Sequence, residues 1–209
     1  MVGRIIETKA CIAEGTDWLA RREPRFSAAL ALTGPPPLRR RPDGLAELLR
    51  AIVGQQVSIA AAGAIWGRLQ AAGLDRAETL AQANEDALRA CGLSRQKIRY
   101  ARALAGAGLD FAALREMPDE ALVAELTRLP GIGRWTAEIY AMFALGRADV
   151  FAPADLALQE ATRLLFELTD RPREAALRQM AADWSPWRAV AARLLWAYYR
   201  HAKEREGVT

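Results

Sequence analysis

Leu129-Pro130-Gly131-Ile132-Gly133-Arg134-Trp135-Thr136-Ala137 is the stretch on which the reading of this chain turns. Apolar residues at helical spacing over 120–129 lead into it. Pro130 ends that helix, since it has no N–H and its ring clashes with the preceding turn. Gly131 and Gly133 permit backbone angles and close approach that side chains forbid. A new helix starts near Arg134, offering its first N–H groups and the positive end of its dipole. Such a turn suits gripping one DNA phosphate through the backbone, whatever the base sequence. Taken alone, the same string also fits a plain turn between two helices with Ile132 plugging the core.

Working outward, periodic apolar residues predict helices over 8–19, 44–53, 59–71, 78–90, 95–107, 120–129, 136–145, 155–168, 174–182 and 187–201. No pair of strands with alternating polarity is visible, so the expected fold is all-α. Thr33-Gly34-Pro35-Pro36-Pro37 reads as a rigid extended linker and runs into Arg39-Arg40-Arg41, with a second break over 146–153. The 209 residues suffice for one domain or two small lobes. No apolar run approaches the ~18 residues of a membrane span, and residues 1–15 hold no long apolar segment of a secretory signal, so a cytoplasmic, nucleoid-associated protein is expected.

Composition narrows the chemistry. The net charge of +4 comes almost entirely from arginine, as only Lys9, Lys97 and Lys203 are lysines. Arginine suits bidentate phosphate contacts, though an arginine- and alanine-rich coding bias gives the same count. Two cysteines, Cys11 and Cys91, are too few for a four-cysteine metal or iron–sulfur site. The single histidine, His201, excludes most zinc hydrolases and Ser-His-Asp enzymes. An enzyme of this composition must work with carboxylates, aromatic rings and backbone groups.

The whole string 129–137 resembles the hairpin of the helix-hairpin-helix-GPD superfamily of DNA glycosylases. Val150-Phe151-Ala152-Pro153-Ala154-Asp155 resembles that superfamily's Pro-bearing loop and catalytic aspartate. Ala51-Ile52-Val53-Gly54-Gln55-Gln56-Val57-Ser58, Ser94-Arg95-Gln96-Lys97-Ile98-Arg99-Tyr100 and Ser185-Pro186-Trp187-Arg188 look like the DNA-3-methyladenine glycosylase II (AlkA-type) branch. The resemblance runs from about Pro36 to Tyr199 in the family's order, and omits the N-terminal β-rich domain of the longer bacterial enzymes.

The resemblance implies a role for each matching residue. Asp155 becomes the catalytic carboxylate, although an aspartate opening an apolar helix is also a favoured N-cap, and the two roles can coexist. One carboxylate suffices to stabilise the positive charge that builds on the sugar as an N-glycosidic bond breaks. Trp135, Trp196 and Tyr140 match positions around the base pocket, where aromatic rings can stack on a flipped cationic base. Ile139 stands where the family's usual pocket aromatic lies. Lyase-active relatives place a lysine where this chain has Trp135, so a monofunctional hydrolase is implied. Gln56 aligns with the residue pushed into the duplex to fill the vacated position. Gly131, Ile132, Gly133 and Arg134 are the expected DNA grip. The backbone carbonyls of Thr127, Leu129 and Gly131 are those expected to hold a structural Na⁺ or K⁺, with no other cofactor required.

The expected architecture is therefore all-α and two-lobed, with a helix-hairpin-helix and a DNA-binding cleft between lobes 44–147 and 1–43 plus 148–209. The expected activity is base-excision repair by a monomer, releasing alkylated purines such as 3-methyladenine and 7-methylguanine from duplex DNA. With no acid to protonate a neutral leaving base, lesions that already carry positive charge are expected to leave faster than hypoxanthine. The rivals are a hairpin DNA-binding module without chemistry, and a glycosylase/lyase for oxidised bases.

Overall fold

The computed structural model describes residues 2–206. In chain order its helices are α1 (Lys9–Arg22), α2 (Pro24–Thr33), α3 (Leu45–Val53), α4 (Ile59–Ala71), α5 (Ala77–Gln82), α6 (Glu85–Ala90), α7 (Arg95–Gly106), α8 (Phe111–Glu116), α9 (Asp119–Thr127), α10 (Arg134–Phe143), α11 (Leu156–Leu165), α12 (Glu174–Met180) and α13 (Arg188–Glu206). A 3₁₀ turn, Ala181–Trp184, follows α12. Among the described residues β-structure is limited to one isolated antiparallel bridge, Ile5 to Arg147, so the all-α expectation holds. No described helix is long and apolar enough to cross a membrane.

The chain divides into two compact units: Arg41–Tyr140, and Val2–Arg40 together with the chain from Ala141 onward. In the first, α3 and α5 both pack on α7. Leu48, Leu49, Ile52, Leu80, Ile98 and Leu104 are buried there, each worth roughly 1.5–3 kcal/mol relative to exposure. The single helix expected over 78–90 is two helices. Asn84 interrupts it, its side chain accepting from the Ala87 amide and so starting α6 afresh. Helix α8 was not expected, and it exists because Asp110 Oδ1 accepts from the amides of both Ala112 and Ala113. Lys97 Nζ donates to the Val53 carbonyl (2.7 Å), closing the end of α3.

In the second unit α13 is central, packed by α1, α2 and α11. It is buried all round over Ala189, Val190, Ala191, Ala192, Leu194 and Leu195, and its alanines let neighbours come close. Gly15 on α1 shows how close: a Cβ there would lie 2.7 Å from Val190 Cγ2 and 2.8 Å from Trp187 Cε3. Helix α2 also went unanticipated. Pro24 occupies its first turn, where the missing N–H costs nothing, Glu23 accepts from Arg25 N, and Thr33 ends the helix rather than beginning the linker. Phe26, Phe151 and Phe166 surround Trp184 at centroid distances of 5.2, 5.5 and 5.8 Å. One ion pair sets the loop before α11: Arg188 donates to Asp149 through Nε (2.8 Å) and Nη2 (3.0 Å), and Ser185 donates to the same carboxylate. That clamp holds the start of α13 against the loop leading to Asp155.

Candidate active site and nucleic-acid interface

Asp155 is the N-cap of α11, with extended backbone, and Oδ1 accepts from the amides of Ala157 (2.9 Å) and Leu158 (3.1 Å). The same oxygen also accepts from the indole nitrogen of Trp196 on α13 (3.2 Å). The cap reading of the sequence is therefore real, and the third donor is more than a cap requires. Three donors on one oxygen hold the plane of a half-buried carboxylate. Below Asp155, the Gln159 amide donates to the Pro153 carbonyl (2.8 Å), and the loop amide of Asp155 donates to Ala152. The rings of Trp196 and Phe143 lie 5.7 Å apart, tilted by 33°. Asp155 and Trp196, two residues widely separated in sequence, thus meet within the second unit.

Trp135 and Tyr140 belong to the first unit. Trp135, in the first turn of α10, is 43% exposed. Tyr140 is 3% exposed; its hydroxyl donates to Asp43 and accepts from the amide of Gly44. Burial and the Asp43 carboxylate raise its pKa far above the usual tyrosine value. Asp43 is bonded to Arg115 as well, so Tyr140 is one member of a fixed polar cluster.

The hairpin residues divide their labour. Ile132 is buried and its amide donates to the Leu129 carbonyl, so it holds the turn together rather than facing outward. Gly131 has φ +89°, and a Cβ there would lie 2.5 Å from Cγ of Tyr100. Only glycine satisfies both the angle and the contact. Gly133 is open: a Cβ would meet nothing within 4 Å. The Arg134 guanidinium is held by Glu120 (2.9 Å) and by the buried Glu138 (3.0 Å). With its guanidinium paired to two carboxylates, Arg134 has its backbone amide at the helix start to offer, as the backbone grip requires.

Gln55 is the residue that sequence reasoning passed over. Its amide nitrogen donates to the Gly131 carbonyl (2.7 Å), tying the loop after α3 to the hairpin. The Leu129 carbonyl already takes the Ile132 amide. Two of the three oxygens expected to hold a cation thus each accept one hydrogen bond, which leaves each a second lone pair. Beside Gln55, Gln56 stands exposed with φ +54°, a left-handed conformation that non-glycine residues seldom adopt. Exposed Val57 (38%) and Ile59 (93%) follow it. Gln55, Gln56, Gln96 and Tyr100 line one concavity of about 560 Å³ with hairpin residues 127–133. The first unit therefore brings Gln56, Gly131 and Gly133 to a single surface.

The first unit thus carries a helical hairpin with an open glycine turn, and the second a carboxylate fixed between a helix start and an indole. Residues 49–186 match the HhH-GPD superfamily of base excision DNA repair proteins, and the chain belongs to that superfamily. DNA-3-methyladenine glycosylase 1 of Schizosaccharomyces pombe is 31% identical over 159 residues, covering 72% of this chain and 70% of that protein. The chain spans only 43% of the length of another relative, YfjP of Bacillus subtilis, at 34% identity. Among solved structures, a DNA-3-methyladenine glycosidase from Bacillus halodurans superposes with a TM-score of 0.82 at 32% identity, covering 91% of each chain. A 3-methyladenine DNA glycosylase from S. pombe, solved with abasic DNA, gives 0.75 at 28% identity and covers 88% of this chain and 95% of that one.

Proposed function

We propose that this protein is a monofunctional DNA glycosylase that hydrolyses the N-glycosidic bond of alkylated purines in duplex DNA, leaving an abasic site. The observation that carries the reading is the Asp155 carboxylate, oriented by two backbone amides and by Trp196 Nε1. Relatives and solved neighbours named as 3-methyladenine glycosylases, one of them bound to abasic DNA, support the substrate class.

The chemistry follows from the residues. As the bond from C1′ to the base nitrogen lengthens, its electron pair leaves with the base and positive charge builds on the sugar. A carboxylate held beside that charge stabilises the transition state more than the ground state. Water then bonds to C1′ and loses its proton. The open amides at Gly133 and the start of α10 grip phosphate, and Gln56 fills the place the base has left. Trp135 stands where the resemblance places the lysine of lyase-active relatives, and the partly buried Lys97 donates to the Val53 carbonyl, which supports water as the nucleophile. We propose further a cytoplasmic setting, with damaged duplex DNA as partner.

The test is base release from methylated duplex DNA, with the freed bases identified by mass. Release of 3-methyladenine or 7-methylguanine supports the reading. An intact duplex after prolonged reaction, despite tight binding to abasic DNA, favours the binding module instead.

A further inference from the structure

Helix α7 presents two adjoining rows of side chains. Gln96 and Tyr100, one turn apart, line the concavity shared with hairpin residues 127–133. Arg95 and Arg99, also one turn apart, form the row beside it. Both arginines are exposed, and neither guanidinium has a hydrogen-bond or ion-pair partner among the described residues. None of the residues lining the concavity is acidic. Their placement works against the fold. Like charges one turn apart repel, and cations early in a helix oppose its macrodipole. Yet Arg95, Lys97 and Arg99 fall in the first five residues of α7, whose first turn holds no acid. Lys97 is used within the unit, at the Val53 carbonyl; Arg95 and Arg99 keep their charge in solvent.

Tyr100 adds a neutral donor. A Cβ on Gly131 would lie 2.5 Å from its Cγ, so the ring lies directly against the hairpin turn. Its hydroxyl accepts from Gln96 Nε2 (2.6 Å), which leaves the O–H proton to donate, and no described acceptor takes it. The other cations at this surface are engaged: Arg134 is paired with Glu120 and Glu138, and Arg128 with Glu125. The Lys97 bond to Val53 and the Gln55 bond to Gly131 tie α7, the end of α3 and the hairpin together.

Resting on duplex DNA as the partner, we infer that Arg95, Arg99 and Tyr100 form a second grip on the phosphodiester backbone, beside the hairpin. The turn at Gly133 offers amides, which hold a phosphate without carrying charge. The α7 row supplies the positive charge, from guanidinium groups whose planar fork matches phosphate oxygens. Tyr100 donates between the two. Contacts of this kind set register on the duplex and carry no sequence preference, which suits a protein that must search undamaged DNA. The cationic part of the grip therefore lies on α7, where motif position points to Arg134.

The test is binding to an undamaged, fluorescently labelled duplex, followed by anisotropy over a series of salt concentrations. The wild-type protein is compared with Arg95→Gln, Arg99→Gln, the double variant, Arg99→Lys and Tyr100→Phe. The slope of log affinity against log salt should shrink by about 0.9 for each arginine removed and by about 1.8 for both. Arg99→Lys, which keeps the charge, should keep the slope. Tyr100→Phe should weaken binding about two- to tenfold with the slope unchanged, since it removes a donor and no charge. Arg21→Gln removes an exposed charge from α1 and should leave the slope in place. Melting temperatures of Arg95→Gln and Arg99→Gln should equal or exceed the wild-type value, because repulsion within α7 is relieved. A lower one would mean that the arginines serve the fold, and overturns the inference. So does an unchanged slope in the double variant, or an equal loss of slope in Arg21→Gln. In each of these cases, release of methylated bases by the wild-type protein leaves the glycosylase reading standing. Failure of the wild-type protein to bind duplex at any salt concentration defeats DNA as the partner, and this inference with it.

Discussion

Replacing Asp155 by asparagine separates the two roles that one side chain holds here. Asparagine caps a helix about as well as aspartate, and its oxygen can still accept from Ala157 N, Leu158 N and Trp196 Nε1. Folding stability should therefore change by no more than about 0.5 kcal/mol. The negative charge is lost. A unit charge developing on the sugar ~4 Å away, at an effective dielectric near 20, is stabilised by about 4 kcal/mol, which corresponds to roughly a thousandfold in rate. Base release from 7-methylguanine duplex, measured with enzyme in excess so that product release does not intrude, should fall by about that factor. Binding to abasic duplex should stay within about tenfold, ~1.4 kcal/mol. Asp155→Ala is the contrast: it removes the cap as well, costing about 1 kcal/mol of stability, and strips the indole of its acceptor. An Asp155→Asn protein that keeps a tenth of the wild-type rate would reduce Asp155 to a cap and refute the mechanism.

Three further outcomes are expected. Tyr140→Phe removes the bonds to Asp43 and the Gly44 amide, which should cost about 1–2 kcal/mol by thermal melting. Because the folded pKa of Tyr140 is raised, the unfolded chain alone can ionise near the ordinary value of ~10. Wild-type stability should therefore be level below that pH and decline above it, more steeply than in Tyr140→Phe; parallel curves would contradict this. Gly133→Asp fits sterically, since a Cβ there meets nothing within 4 Å, so it should leave the melting temperature alone. It should weaken duplex binding with little change in salt slope, because amides release few counterions; unimpaired binding would remove the hairpin from the interface. Borohydride added during reaction with abasic duplex should trap no protein–DNA adduct, and an efficient adduct would reveal an amine nucleophile in place of water.

How far local pattern reaches is clear from particular elements. The bounds of α4 and the start of α7 agree with the periodicity because each opens on a serine cap, Ser58 and Ser94, written in the sequence itself. Helices α2 and α8 are hidden in the sequence because their opening residues, Pro24 and Asp110, are easily taken for loop residues. The break at Asn84 is the same signal hidden inside an apolar run. Motif position places Ile132 and Arg134 in the DNA grip; that the side chain of one is buried and that of the other pairs with Glu120 and Glu138 arises from residues no motif includes.

By itself the sequence determined the all-α class, the glycine turn at 131–133, the family and the candidate carboxylate. Each rests on residues contiguous in the chain, where spacing dictates local geometry. Tertiary structure alone decided which side chains converge: Trp196 on Asp155, and Gln55 and Tyr100 on Gly131. Those contacts join elements far apart in the chain. Hydrogen-bond partners depend on where helices pack, and the order of residues along one helix does not encode that.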